Sequence, residues 1–327
     1  MAGGRKDSRN ISTGLKWQSF QQSKYPAGRK PLPNPITFIQ LVVMLVMHIC
    51  RKIVLFQPEI KIGIYVSILF FVSLVCDFVP FPESYFSRKD NLLNEYLVKL
   101  GWGWTLTIVG TFVYLTSWTY CCSDKVLVRQ HLSRMLVGTV VWFFCTTLFQ
   151  YMEEWFGHCY PPEHGKNYKT KGLCRKHGLK WVGFDISGHA FLLIYCCLII
   201  MEEGKCIRGW ERIGELIVRN NEFEDESPLK KLSEEQMYKL KTSYEQFTPY
   251  VRVTFVFMTV LLLIWDVMLM TTILYYHNMV QKLAGGLIAI GIWFITYRIW
   301  YRMKYSPGLP GEGLFKYSHL KSPRDIS

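Results

Sequence analysis

Two histidines in this 327-residue chain stand beside groups that could share one reaction. His189 lies in "FDISGHAFLL", four residues after Asp185, with Ser187 and Gly188 between them. His277 follows "TTILYY", and Lys282 comes five residues later. A neutral imidazole can attack phosphorus, and a protonated one can give its proton to a leaving group, so a histidine pair suits phosphoryl transfer. The first N–H groups of a helix lack intrahelical acceptors and carry the positive end of its dipole. A helix beginning near Gly188 would offer an anion site that an oxyanion could approach closely. Lys282 or Lys180 could add positive charge. The spacing of four predicts Asp185 and His189 on one helix face. A histidine at a helix end is ordinarily an interfacial side chain, so the assignment depends on the fold bringing both to one place.

Other chemistries find less support. Eight scattered histidines do not make the clustered motifs of membrane di-iron oxygenases. No cofactor or metal is expected, because the pattern offers histidines and lysines rather than a carboxylate cage. Cys159 and Cys174 share one long loop with His158, His164 and His177. An oxidising compartment would join the two cysteines. A zinc site is the alternative, although the spacing matches no standard zinc pattern.

The elements that must position these residues are membrane helices. The chain is 50% hydrophobic, 16% aromatic and 19% charged, the balance of a membrane protein. A net charge of +13 could suggest nucleic acid, but the basic residues cluster in tails and short loops and no nucleic-acid-binding motif occurs. Spans of about 20 apolar residues are expected at 63–79, 101–118, 136–152, 184–201, 251–276 and 283–301. The run 36–56 contains Arg51 and Lys52 and reads as an interfacial or re-entrant helix. The expected class is thus an all-α membrane protein with six transmembrane helices plus that N-terminal segment. Its parts are a basic tail at 1–35, the apolar segment at 36–57, a six-span core at 58–302 and a second tail at 303–327.

Orientation follows the basic residues. Arg5, Lys6 and Arg9 in the first tail, Lys125 and Arg129 after the second span, and Arg302 and Lys304 at the end fall on one face only if the spans number six. The positive-inside bias makes that face cytosolic. Loop 153–183, His189 and His277 then lie on the opposite, lumenal side. No cleavable signal peptide is expected, because the N-terminus is polar. The sequon at Asn10 would stay unmodified in the cytosol. In loop 202–250, Ile207, Trp210, Ile213 and Ile217 recur at helical spacing, predicting an amphipathic surface helix. Ser233 to Gln236 reads as the capping box of a second, polar helix. Asp266, alone in "LLLIWDVMLM", is costly within a membrane and predicts a functional or interior-facing role.

Several stretches resemble the fat storage-inducing transmembrane (FIT) family of the endoplasmic reticulum. They are "PFPESYFSRKDNLLNEYLVKLGWGWT", "HLSRMLVGTVVW", "GFDISGHAFLL", "YYHNMVQK" and "YSPGLPGEGLF", in matching order from about residue 80 to 315. The resemblance implies a relation to lipid phosphate phosphatases. It implies hydrolysis of fatty acyl-CoA at its diphosphate to acyl 4′-phosphopantetheine and adenosine 3′,5′-bisphosphate. It also implies binding of diacylglycerol and triacylglycerol, and support of lipid-droplet formation. By it, His189 is the leaving-group acid and His277 the nucleophile. The chain departs from the phosphatase superfamily at Met270 and Thr271, where Ser-Arg is expected, and at Gln281, where Asp is expected. The superfamily's first basic motif is missing, so Lys282, Lys180 or Arg88 would have to hold the phosphates. Two other functions remain open: a non-catalytic binder of neutral lipid, and a phosphatase for lipid phosphates.

Overall fold

The computed structural model describes residues 37–79, 81–88, 91–160, 170–220, 229 and 232–314. Asn10, His164 and most of both tails lie outside the described residues. Met1–Leu41 and Val42–Ser327 are separate compact units. The described part of the first is the entry into helix α1 (Phe38–Val54).

Besides α1, six long helices build the described part of the second unit. They are α2 (Pro58–Phe78), α3 (Gly101–Tyr120), α4 (Lys125–Phe156), α6 (Gly188–Gly204), α8 (Glu234–Tyr275) and α9 (Met279–Arg302). Of these, α2, α4, α8 and α9 are long and apolar enough to cross a membrane. The chain is therefore a helical membrane protein. The segments expected at 101–118 and 184–201 correspond to α3 and α6. Between α4 and α6, strands β1 (His158–Tyr160) and β2 (Lys180–Val182) form an antiparallel ribbon pairing His158 with Val182, with helix α5 (Lys171–Lys176) between them. This ribbon was not expected; three-residue strands carry too little periodicity to be read.

Helix α6 is the axis of the bundle. Every residue from Ala190 to Gly204 is buried, as a helix apolar on all sides must be. It packs against α9, α8 and α3. Glycines permit the closest crossings. A Cβ on Gly285 would stand 2.5 Å from the Ser187 carbonyl oxygen, and one on Gly286 would meet Leu69 and Ile194. Gly138 of α4 likewise accepts the Trp102 ring of α3. Small residues at such contacts let membrane helices approach each other.

At the end of the unit away from His189 and His277, a buried polar cluster gathers around Arg134. Arg134 and Glu203 form a bidentate pair with both bonds at 2.8 Å, and both side chains are almost wholly inaccessible. The Tyr297 hydroxyl donates to the same carboxylate at 2.9 Å. Helix α7 (Ile207–Asn220) turns Trp210 and Ile213 inward, the amphipathic pattern expected. The Ser233–Gln236 capping box forms, but the helix it starts does not stop near Tyr250. It continues through Pro249 as one 42-residue helix to Tyr275. The polar-to-apolar change in composition suggested two elements, yet both compositions suit a helix.

Candidate active site

The start of α6, the end of α8 and the start of α9 meet at one end of the bundle. Ser187 is the N-cap of α6: its hydroxyl accepts from the Ala190 N–H at 3.3 Å. Its own N–H donates to the Gln281 carbonyl at 3.1 Å, which ties α6 to α9. Gly188 opens the helix, and a Cβ there would meet nothing within 4 Å. The space beside Gly188 is thus open at the end of the helix where an anion is favoured.

Asp185 is not on the helix. Residues 184–187 precede α6, because the Ser187 cap fixes the start one residue later. The expectation that Asp185 and His189 share a helix face is corrected accordingly. Asp185 instead lies beside the other histidine, its Oδ2 3.8 Å from His277 Nδ1.

His277 occupies the three-residue turn Tyr276–Asn278 between α8 and α9, with a φ of 57°. Asn278 caps α9 by accepting from the Gln281 N–H at 3.0 Å. The Gln281 side-chain oxygen lies 3.3 Å from His277 Nδ1 and accepts from the Asn278 N–H at 3.4 Å. An amide oxygen only accepts, so this contact suits the tautomer with the proton on Nδ1 and Nε2 open to substrate. Asp77, at the end of α2, accepts from the Met279 N–H at 2.9 Å.

His189 is held from two other directions. Its Nε2 lies 3.0 Å from Asn94 Oδ1, on the π-helical segment Leu93–Val98. By the same reasoning this contact suits a proton on Nε2. The ring stacks on Tyr276, with centroids 6.4 Å apart and planes 17° from parallel. The Tyr276 hydroxyl shares its one proton between the carbonyls of Phe86 at 2.8 Å and Arg88 at 2.9 Å. The connection between α2 and α3 is thereby fastened over the histidines. Tyr276 touches His189 and precedes His277, while Asp185 approaches His277 and precedes His189. The fold thus brings the two halves of the site together.

The cations are arranged differently from the sequence expectation. Lys282 is buried, and its ammonium donates to the Ile273 carbonyl at 2.7 Å, closing off the last turn of α8. Lys180 sits on the β1–β2 ribbon. Arg88 is exposed, and its backbone is bound by the tyrosine that stacks on His189. Cys159 and Cys174 are joined in a disulfide with their Cα atoms 5.8 Å apart, which closes the loop leading to α6. Among the described residues no three His, Cys, Asp or Glu groups are placed to hold a metal. Asn94, Tyr276 and Asp77 were not singled out in the sequence. The only local signal was the unusual pair of asparagines, Asn91 and Asn94, beside an apolar segment; Asn91 Oδ1 accepts from the Asn94 N–H at 2.7 Å.

Residues 82–297 match the family described as "Fat storage-inducing transmembrane protein". A protein named "Acyl-coenzyme A diphosphatase FITM2" from Drosophila melanogaster is 44% identical over 301 residues, covering 89% of this chain and 70% of its own. Proteins of the same name from Xenopus tropicalis and Homo sapiens are 37% and 36% identical, each over 73% of this chain and over 81% and 82% of their own. No solved structure matches.

Proposed function

The chain belongs to the fat storage-inducing transmembrane family, and on that premise we propose that it is a fatty acyl-CoA diphosphatase whose chemistry is divided between His277 and His189. The observation that carries this reading is the exchange of neighbours between the two histidines: Asp185 beside His277 and Tyr276 against His189. Nothing in a simple bundle of lipid-binding helices requires two imidazoles, a helix N-terminus and a carboxylate at one point.

In this reading His277 Nε2 attacks the phosphorus bearing the pantetheine arm. A nitrogen–phosphorus bond forms, and the bond to the bridging oxygen breaks. His189 gives that oxygen its proton, and adenosine 3′,5′-bisphosphate leaves. Water then gives a proton back to His189 and attacks the phosphorus. This breaks the nitrogen–phosphorus bond and frees acyl 4′-phosphopantetheine. Asp185 stabilises His277 as it gains positive charge. Gln281 holds the Nδ1 proton so that Nε2 faces phosphorus, the role the superfamily's Asp would otherwise fill. Ser187 and Gly188 present the helix N-terminus to the phosphate oxygens. Arg88 is the exposed cation of the site, and Lys282 fixes the turn that carries His277.

The same reading places the protein in the endoplasmic reticulum membrane. Its six helices α2, α3, α4, α6, α8 and α9 all span, the α1 region lies at the interface, both termini are cytosolic and the histidines face the lumen. The alternation of these six helices between the two ends of the bundle supports that topology. Diacylglycerol and triacylglycerol are the membrane lipids it would meet, and lipid-droplet formation the process it would support.

Purified protein incubated with oleoyl-CoA should release both phosphate-bearing products. His277→Ala should abolish turnover and any phospho-enzyme trapped from labelled substrate. His189→Ala should slow turnover by about 10²-fold or more, the scale of losing an acid catalyst. Wild-type rates in both folded variants would exclude the reading. Continued activity in EDTA is expected, since no step needs a metal.

A further inference from the structure

Away from the histidines, a cavity of about 490 Å³ opens among the end of α1, the first half of α2 and the second half of α8. Its long walls are apolar: Ile64 and Ile68 on one side, Leu269 and Ile273 on the other. From Lys61 to Ile68 and from Asp266 to Ile273 is seven residues each, so both walls run about 10 Å along their helices. Ile273 ends one helical turn short of His277. The opposite end is polar, with Lys61 and Asp266 in the wall and Lys52 beside them.

The polar end explains Asp266. Its Oδ2 accepts from the Lys61 ammonium at 2.7 Å and its Oδ1 from the Tyr65 hydroxyl at 2.5 Å. A carboxylate inside a membrane needs such partners. The ammonium uses only one of its three donors on Asp266. Of the neighbouring basic residues, Arg51 pairs with Glu211 and Arg298 with Glu59, while Arg208 donates to the Leu55 carbonyl. Lys52 is exposed and has no acidic partner among the described residues. Two ammonium groups and one carboxylate leave the polar end with a surplus positive charge. That charge sits at the mouth of an apolar slot.

We propose that this cavity is a second ligand site, distinct from the histidine pair, for an amphiphile with one alkyl chain and an anionic carboxylate or phosphate headgroup. The headgroup would meet Lys52 and the spare donors of Lys61, and the chain would lie between α2 and α8. The volume falls in the lower half of the ~300–1,000 Å³ typical of small-molecule sites, which suits one chain rather than the two or three of a glyceride.

The test uses full-length protein in detergent micelles and a palmitate analogue carrying a diazirine. After irradiation, cross-links should map to the peptides containing residues 61–68 and 266–273. Oleate or oleoyl-lysophosphatidate, or both, should compete, and which of them does so identifies the headgroup. Monoolein, the same chain without charge, should not compete at equal concentration. Lys52→Gln should weaken labelling by about fivefold, the scale of one partly exposed ion pair. Leu269→Trp should fill the slot and remove labelling. Competition by monoolein equal to that by oleate overturns the proposal. So does labelling unchanged in both variants, or mapped elsewhere. Lys52 is a surface residue, so its variant remains informative if the tryptophan variant does not fold. The proposal does not rest on catalysis: alanine at both histidines can leave hydrolysis unchanged, sinking the catalytic reading, while the labelling result stands.

Discussion

His277 adopts a left-handed backbone conformation that costs a non-glycine residue about 1–3 kcal/mol. The Asn278 cap and the Asp77 carboxylate at Met279 hold it there. His277→Gly is therefore expected to raise the melting temperature while abolishing turnover, a separation that thermal unfolding and an acyl-CoA assay would measure together. A drop in melting temperature would show that the imidazole's contacts outweigh the backbone cost. Asn94 makes its contribution through His189. Asn94→Ala should slow acyl-CoA turnover by about 10-fold or more, as a misplaced acid would. A nitrophenolate leaving group needs no proton, so the first-turnover burst of nitrophenolate from a nitrophenyl phosphodiester should change little. The loss should also add little to that of His189→Ala, because residues acting through one group are not additive. A purely structural asparagine would slow both substrates and add in full.

At the scale of elements, the site depends on how closely α9 approaches α6. Gly285→Val would drive its Cβ branches into the Ser187 carbonyl, which a single Cβ already meets at 2.5 Å. Overpacking of this kind costs about 1–3 kcal/mol, and the shift would part Gln281 from Ser187. Activity should fall more than stability, whereas Gly291→Val, where a Cβ meets nothing, should be tolerated in both. The disulfide acts one connection earlier. It spans 15 residues, so in the chain-entropy model its removal by a Cys159→Ala, Cys174→Ala pair costs about 3 kcal/mol, measurable as a lower denaturation midpoint. Helix existence was legible here because spans are long and uniformly apolar, and the α7 face was legible because it is periodic. Boundaries were not. Phe184 to Ser187 looks like the first turn of an apolar helix until Ser187 is seen to cap it. The two histidines stood out by residue type, but Asn94 lies 95 residues from its partner, and no local pattern joins them. Lys282 illustrates the reverse: its charge suggested a phosphate, and its depth commits it to a backbone carbonyl.

At the scale of the second unit, the histidines and the Arg134–Glu203 pair lie at opposite ends of α6. The Arg134–Glu203 pair is remote from the histidines and wholly desolvated. Glu203→Gln would strand a buried guanidinium, a loss of about 3–5 kcal/mol, whereas Arg134→Met with Glu203→Leu should recover much of it. Chemical denaturation would compare the two, and a double variant no better than the single would refute the assignment. Topology is testable at Asn10, which should escape glycosylation in microsomes if the N-terminus is cytosolic. Glycan addition there would reverse the whole orientation.

The hydrogen bond from Ser187 to Gln281 also sets an order in time. In the proposed reading the acid, His189, is synthesised 88 residues before its partner His277. At about 5–20 residues per second, His189 waits between about 4 and 18 seconds for His277. The turn bearing His277 is not fixed until α9 has entered the membrane behind it. A shorter nascent chain lacks α9, which holds the turn of His277, so in the proposed reading hydrolysis begins only when α9 is in place.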